Sequence, residues 1–141
     1  MAAERIFLPD DDATAALGAR LAAELKPGDL VLLEGGLGAG KTALARAIIR
    51  TLTGEAGLEV PSPSFALVQP YEANGLPLLH ADLYRIRDPR ETDELGLFDR
   101  PEAIVLVEWP ERAPELLSRP STKVTLSVPP DGQGRMAEIV R

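Results

Sequence analysis

The sequence contains no cysteine, little positive charge and few aromatic residues. Without cysteine the chain has neither disulfide bonds nor thiolate metal sites, which is compatible with a reducing compartment. Its 15 Lys and Arg against 22 Asp and Glu give a net charge of −7. Nucleic-acid binders usually carry a basic surface for phosphates, so DNA is not expected as a partner. Any contact with RNA would have to be local or shared with another protein.

Long hydrophobic runs are also missing from the sequence. No segment reaches the about 18 apolar residues that a membrane-spanning helix needs. The N-terminus, MAAERIFLPDDD, has an acidic run where a secretory signal would have its apolar core. We therefore expect a soluble cytoplasmic protein without a membrane partner. The length of 141 residues predicts one domain over residues 1–141, built around one core.

Strand-like and helix-like segments alternate in the first half of the chain. RIFL (residues 5–8) predicts a short strand, and residues 10–25 predict a helix capped by Asp11 or Asp12. LVLLE (residues 30–34) is a continuous apolar run, typical of a strand covered on both faces. TALARAIIRTL (residues 42–52) predicts a strong helix that ends near Gly54.

The second half shows hairpin signals and one more buried strand. Two extended runs flank Asn74-Gly75, and two more flank Asp131 and Gly132, as in β-hairpins. Residues 88–97 predict a short helix capped by Asp88, with Pro89 at its first position. IVLVE (residues 104–108) predicts a buried strand, and PERAPELL a short helix behind it. The pattern as a whole predicts an α/β fold with a mixed rather than a purely parallel sheet.

The stretch EGGLGAGKTALARAI (residues 34–48) carries the most specific chemical signal. Gly35, Gly40, Lys41 and Thr42 satisfy the P-loop (Walker A) pattern G-x-x-x-x-G-K-[ST], between a strand and a helix as that motif requires. The glycines let the backbone wrap around phosphate oxygens with its N–H groups pointing inward, and the helix N-terminus adds the positive end of its dipole. The alternative is a glycine-rich turn that only fits a tight strand-to-helix crossing.

The P-loop interpretation assigns a role to each residue of the loop. Lys41 supplies a positive charge to the β- and γ-phosphates, and the Thr42 hydroxyl coordinates Mg²⁺. A nucleoside triphosphate is therefore predicted to bind along the loop and the first turn of the helix, at Gly36, Leu37, Gly38, Ala39, Gly40, Lys41, Thr42 and Ala43. The corresponding architecture is a P-loop NTPase-like three-layer fold.

Two carboxylates are placed to complete a hydrolytic site. Glu108 ends the apolar strand IVLVE, where the carboxyl edge of a parallel sheet faces the nucleotide, so it is a candidate metal-binding acid. Asp82, in LLHADLYR, also follows an apolar run and is a candidate for the metal's water shell or for the attacking water. For either residue alone, a solvated or capping carboxylate is an equally good interpretation, and the P-loop favours the functional one.

Other polar residues carry weaker signals. Ser64, in PSPSF, is either a turn residue between prolines or a hydroxyl that senses the γ-phosphate. The only histidine, His80, is expected to be a packed or hydrogen-bonded structural residue. The only tryptophan, Trp109, is expected to pack, to form a wall of the nucleotide site, or to contact a partner. Arg85 and Arg112 are weak candidates for stabilising phosphate charge, since exposed arginines are common.

Taken in order, the motifs resemble one family. EGGLGAGKT is followed by SPSF at 62–65 with LVQPY, HADLYRI at 80–86, ELGL at 94–97 and VLVEWPER at 105–112. This series resembles the bacterial TsaE (YjeE) family, small P-loop ATPases of tRNA threonylcarbamoyladenosine biosynthesis. The resemblance extends from about Phe7 to Arg112, and the last strands match only in general pattern.

The resemblance implies Mg-ATP binding, weak intrinsic ATPase activity and antiparallel additions to a P-loop sheet. It also implies work with TsaD and TsaB homologues, whose complex modifies adenosine 37 of tRNAs that read codons beginning with A. The family's part is to reset that complex through ATP turnover, so tRNA is reached indirectly. Lys41 and Thr42 match the phosphate and magnesium residues, Asp82 and Glu108 the two acids, and Trp109 the tryptophan after the second acid.

Two positions depart from the family pattern. Ser-Pro-Ser-Phe replaces Ser-Pro-Thr-Phe, which keeps the hydroxyl of Ser64 but removes a methyl group. His-Ala-Asp replaces His-Phe-Asp, which removes an aromatic ring beside Asp82.

Three other classes share the P-loop. A small-molecule kinase would need an arginine-rich lid, and a GTPase would need Asn-Lys-x-Asp, and neither element is in the sequence. A non-hydrolysing nucleotide-binding scaffold is the third class. It would bind ATP and partners, but turnover would show no dependence on Asp82 or Glu108.

Overall fold

The computed structural model describes residues 3–141, which form one mixed sheet with helices on one face and 3-10 segments on the other. The seven strands are β1 (Glu4–Leu8), β2 (Leu30–Glu34), β3 (Val68–Ala73), β4 (Leu76–Asp82), β5 (Ile104–Glu108), β6 (Thr122–Ser127) and β7 (Arg135–Val140). The two helices are α1 (Asp11–Glu24) and α2 (Lys41–Thr53). The 3-10 segments cover Pro89–Leu95, Pro110–Arg112 and Pro114–Ser118.

The strand order is β1-β7-β6-β2-β5-β4-β3. β6, β2, β5 and β4 are mutually parallel at the centre of the sheet, and β1, β7 and β3 add antiparallel pairings. The mixed sheet expected from the sequence is therefore confirmed. Because β2, β4 and β5 run in the same direction, their carboxyl ends lie together at one edge of the sheet.

The apolar side chains of β2 pack on both faces of the sheet. Val31 and Leu33 pack with α1 and α2 in one hydrophobic cluster, and Leu30 and Leu32 pack in a second cluster with residues of the 3-10 segments. Successive side chains of a strand point to opposite faces, so a fully apolar strand requires a layer on each side. The three-layer architecture follows from this pattern.

The local signals at element ends are mostly confirmed. Asn74 and Gly75 have positive φ and close the β3–β4 hairpin, as the Asn-Gly pair indicates. Gly54 caps α2 in the left-handed conformation. The predicted cap of α1 at Asp11 or Asp12 is wrong. The cap is Asp10, whose side chain accepts from the N–H of Ala13, and Asp11 and Asp12 lie in the first turn. An extended residue is needed at this position, and Asp10 is the one with extended backbone.

Within residues 3–141, neither helix is long and apolar enough to cross a bilayer.

Candidate functional site

The glycine-rich loop (residues 35–40) connects β2 to α2 at the carboxyl edge of the sheet. Gly35 passes so close to β6 that a Cβ atom would lie 2.5 Å from the carbonyl oxygen of Leu126. Gly40 has φ of 103° and caps α2 without a side-chain hydrogen bond. The first N–H groups of a helix have no intrahelical partner, so this end of α2 presents free backbone donors to the space above the loop.

Lys41 lies inside the curve of the loop and is only 4% exposed. Its Nζ donates to the carbonyl oxygens of Gly35 (2.6 Å) and Gly36 (2.8 Å). The same ammonium lies 4.1 Å from the centroid of the Trp109 ring. Burial lowers the pKa of Lys41, and the charges of Glu108, Glu111 and Asp82 oppose this shift. Lys41 is thus a buried cation held at the base of the site.

Glu108 is the carboxylate at the centre of the site and is 2% exposed. Both of its oxygens lie 2.9 Å from the Thr42 hydroxyl. Nε2 of His80 lies 2.7 Å from Oε2 of Glu108. An ionised carboxylate can only accept hydrogen bonds, so the tautomer of His80 that suits this contact is the one with its proton on Nε2. His80 is therefore hydrogen-bonded, as expected, and its partner is a residue of the site.

Asp82 lies beside Glu108 because the two residues are partners in the β4–β5 register. Its Oδ1 accepts the N–H of Tyr84 at 2.9 Å, and its Oδ2 accepts the Ser62 hydroxyl at 3.2 Å. Ser62 in turn lies 2.9 Å from the hydroxyl of Ser64. A short chain of hydrogen bonds thus joins Asp82 to the loop that contains Ser64.

Trp109 adopts the left-handed backbone conformation, with φ of 57°. This is uncommon for a bulky residue and costs about 1–3 kcal/mol. Backbone hydrogen bonds fix the chain on both sides. Before the ring, the N–H of Trp109 donates to Leu33 and the carbonyl of Glu108 accepts from Leu83; after it, the carbonyl of Trp109 accepts from Arg112. The turn places the Trp109 ring over Lys41 and 4.7 Å from the Tyr84 ring.

These groups surround one cavity of about 450 Å³. Its lining includes nearly all the residues predicted to form a nucleotide site, namely Leu37, Gly38, Ala39, Gly40, Lys41, Thr42, Ala43, Ser64, Asp82, Glu108 and Trp109. Gly36 does not line the cavity and instead gives its carbonyl to Lys41. The roles assigned to these residues stay predictions, but the fold brings them together.

Three lining residues were not among the predicted site residues: Ser62, Tyr84 and Arg85. Each of them has some signal in the sequence. Ser62 is the other hydroxyl of PSPSF, Tyr84 follows Asp82 by two residues, and Arg85 was only a weak candidate. Arg112 does not line the cavity and lies with its guanidinium 5.4 Å from the Tyr84 ring.

The fold is P-loop NTPase-like. Its central strands are parallel, a glycine-rich loop leads from a strand into a helix, and acids lie at the ends of the adjacent strands. Comparison with known proteins is more specific. Residues 8–136 match the family model described as threonylcarbamoyl adenosine biosynthesis protein TsaE. The chain belongs to the TsaE family of tRNA threonylcarbamoyladenosine biosynthesis.

Individual relatives agree with this assignment. A Synechocystis protein described as tRNA threonylcarbamoyladenosine biosynthesis protein TsaE is 44% identical over 119 residues, covering 80% of this chain and 74% of the relative. A Rickettsia felis protein of the same description is 40% identical over 124 residues, covering 87% and 72%. The crystal structure of Bacillus subtilis YdiB is similar with a TM-score of 0.79 at 27% identity, covering 99% of this chain and 86% of that one.

Proposed function

We propose that this protein binds and hydrolyses Mg-ATP at the cavity above the glycine-rich loop, in support of tRNA threonylcarbamoylation. The observation that carries the proposal is the convergence of Lys41, Thr42, Asp82 and Glu108 on one cavity at the N-terminus of α2. A cation, a hydroxyl and two carboxylates beside free backbone donors form a set suited to triphosphate and magnesium chemistry.

The loop fits a triphosphate in shape and in charge. A Cβ atom added at Gly38, which lines the cavity, would meet nothing within 4 Å, so this cavity-lining surface of the loop is open at that point. The N–H groups at the start of α2 and the ammonium of Lys41 provide positive charge on that surface. In this proposal they bind the phosphates, and the nucleotide supplies the phosphoanhydride bond that water cleaves.

Magnesium fits the pair formed by Thr42 and Glu108. Mg²⁺ is usually held by one or two protein oxygens together with phosphate oxygens and water, rather than by an all-protein cage. Within the described residues no group of three His, Cys, Asp or Glu side chains could bind a metal without help. The Thr42 hydroxyl and the Glu108 carboxylate are adjacent oxygen ligands that would hold the ion against bound phosphates.

Asp82 is proposed to orient the attacking water. Two of its hydrogen bonds fix the carboxylate, one from the Tyr84 N–H and one from Ser62, and it lines the same cavity as Glu108. An acid held in a fixed orientation can accept a hydrogen bond from water and direct a lone pair of that water toward the reacting phosphorus. Ser64, joined to Asp82 through Ser62, is the proposed sensor of the γ-phosphate.

The proposed partners are the TsaD and TsaB homologues, and ATP turnover is proposed to reset their complex between rounds of tRNA modification. Membership of the family supports this role. The net charge of −7 supports indirect contact with tRNA through these partners, since phosphate-binding surfaces are usually basic.

The test is ATP hydrolysis by the purified protein, alone and with the TsaB–TsaD complex and tRNA. We expect slow turnover alone and faster turnover with the complex. Lys41→Ala and Glu108→Ala should each lower both rates by about 100-fold or more. Repeated rounds of tRNA modification should require the intact site. If the complex binds but neither partner nor substitution changes turnover, the protein is a nucleotide-binding scaffold and the proposal is wrong.

A further inference from the structure

A second cavity, of about 550 Å³, lies beside the first and is lined mainly by arginine. Its five lining residues are Tyr84, Arg85, Ile86, Arg87 and Arg112. Tyr84 and Arg85 also line the first cavity, so the two cavities share a wall. We call Arg85, Arg87 and Arg112 the arginine cluster, and all three residues are exposed.

The arginine cluster stands out against the charge of the rest of the chain. The protein has a net charge of −7, yet three cations line one small concave surface. Several arginines elsewhere have a carboxylate within ion-pair distance: Arg5, Arg20, Arg90, Arg100 and Arg141. Among residues 3–141, no side chain of the cluster makes such a pair.

Acidic neighbours of the cluster are accounted for by other contacts. Asp88 pairs with Arg90 at 2.7 Å, and Glu91 accepts the backbone N–H of Arg87, not its guanidinium. Glu111 precedes Arg112 but is not within ion-pair distance of it. The positive charge of the cluster is therefore not neutralised within the described chain.

Two of the guanidinium groups lie over aromatic rings. Arg85 lies 4.3 Å from the centroid of the Phe65 ring, and Arg112 lies 5.4 Å from the centroid of the Tyr84 ring. A guanidinium placed over a ring keeps its in-plane N–H donors available, and these donors match the two oxygens of a carboxylate. Less side-chain entropy is then lost when a partner binds.

We propose that the arginine cluster is the docking site for a carboxylate-rich surface of the protein partner. The proposal rests on the proposed function, in which that partner is the complex of TsaB and TsaD homologues. Charge complementarity selects the occupant: three exposed cations in a small concavity match a few Asp or Glu side chains. Nucleic acid is a poorer match, because its binding depends on many phosphate contacts and the protein has a net charge of −7.

The position of Arg85 connects this docking site to the nucleotide cavity. Arg85 contacts Phe65, the residue after Ser64, and Ser64 is joined to Asp82 through Ser62. A carboxylate that engages Arg85 acts on the same loop that holds the proposed catalytic acid. Docking at the arginine cluster is therefore the step through which the partner changes the rate of ATP turnover.

The experiment measures affinity for the purified TsaB–TsaD complex by biolayer interferometry, between 0.05 and 0.5 M salt (about 14 to 4 Å of Debye screening). The test variant is Arg87→Glu/Arg112→Glu, which keeps Arg85, and neither substituted residue lines the nucleotide cavity. The control is Arg119→Glu, because Arg119 is also exposed and stacked on a ring, Phe98 at 3.6 Å, but lies outside the cavity. Mg-ATP affinity of each variant and direct binding of tRNA are measured in parallel.

At about 0.15 M salt we expect the double variant to bind the complex at least about tenfold more weakly than wild type does, and its affinity should depend less on salt. Arg119→Glu should change the affinity less than about twofold. Mg-ATP affinity should be unchanged in both variants, while stimulation of turnover by the complex is lost in the double variant alone.

Wild-type affinity in the double variant would overturn the docking site and leave the proposed function standing. Wild-type protein that does not bind the complex would overturn both. Direct tRNA binding that the double variant loses would overturn the choice of an acidic protein as the occupant.

Discussion

Charged side chains are used differently at the two sides of the sheet. Where β2, β4 and β5 end, Lys41, His80, Asp82 and Glu108 are each no more than 5% exposed. We call these four residues the buried polar cluster. Along β1, β7 and α1, the charged groups form exposed ion pairs, among them Arg5 with Glu138, Arg20 with Glu4, and Arg141 with Glu24.

The difference separates charges that are costly to bury from charges that stay in contact with water. Burying a charge costs several kcal/mol unless hydrogen bonds and opposite charges compensate. In the buried polar cluster one polar atom is left unsatisfied, since among residues 3–141 Nδ1 of His80 has no hydrogen-bond partner. The exposed ion pairs cost little and contribute little. Substitutions should therefore separate activity from stability, depending on the side of the sheet that they change.

Glu108→Gln should produce the largest effect, a fall in ATP turnover of about 10²–10³-fold. The amide keeps the volume and can still accept from Thr42 and His80, so the fold should be retained, whereas the negative charge proposed to hold magnesium is lost. Steady-state hydrolysis and thermal unfolding measure the two effects. The matched control is Glu34→Gln, at the end of β2, where the side chain faces Lys123 at 3.5 Å. Equal losses in the two variants would contradict a special role for Glu108.

His80→Leu should lower turnover by about 10–100-fold, because Glu108 loses the donor that fixes its orientation. The free energy of unfolding should also fall, by about 1–3 kcal/mol, because the buried Glu108 carboxylate loses one of its hydrogen-bond partners. The magnesium concentration that gives half-maximal turnover should rise, which loss of packing alone would not cause. His80→Gln restores a donor and should recover part of the rate. An unchanged magnesium dependence in His80→Leu would show that His80 only packs.

Gly18→Ala should affect stability rather than activity. A Cβ atom at Gly18 would lie 2.4 Å from Cβ of Ala47, where α1 packs on α2. Overpacking of this kind costs about 1–3 kcal/mol in the free energy of unfolding, which urea denaturation measures. Turnover per folded molecule should be unchanged. Gly57→Ala is the control, because a Cβ atom there meets nothing within 4 Å. Equal stability of the two variants would contradict close packing of α1 on α2.

Glu4→Gln should produce the smallest effect, and that effect should depend on pH. Hydrogen bonding to Arg20 lowers the pKa of Glu4 below its ordinary value of 4.5, and Arg141 adds to the shift. A lowered carboxyl pKa stabilises the fold above pH 4.5 and ceases to do so as the pH falls through the folded-state pKa. The difference in unfolding midpoint between wild type and Glu4→Gln should therefore be small at pH 7 and disappear in acid. A difference that grows in acid would contradict this account of the exposed ion pairs.

The central part of the fold could be predicted because its signals are local. LVLLE is apolar at every position before its last residue, the glycine-rich loop has a fixed pattern, and Asn74-Gly75 specifies a tight hairpin. Asp82 and Glu108 could be placed at one edge because both end apolar strands. Their proposed roles do not follow from the geometry alone and need the experiments above.

Other features depended on contacts that the sequence does not encode locally. The bond between His80 and Glu108 requires the β4–β5 register, in which His80 is paired with Leu106 and its side chain reaches two residues along β5. The arginine cluster combines residues 85 and 87 with residue 112, from two separate segments. The cap of α1 was misplaced because three consecutive aspartates, Asp10, Asp11 and Asp12, are all good caps.

The most direct test of the account is calorimetric titration of Mg-ATP into the wild-type protein and into Lys41→Ala. If the loop is a nucleotide site, wild-type protein binds one Mg-ATP, and Lys41→Ala binds it at least about 100-fold more weakly while remaining folded. Equal affinity in the two proteins, or no binding to the wild-type protein, would contradict the claim that the glycine-rich loop and the buried polar cluster form a nucleotide site.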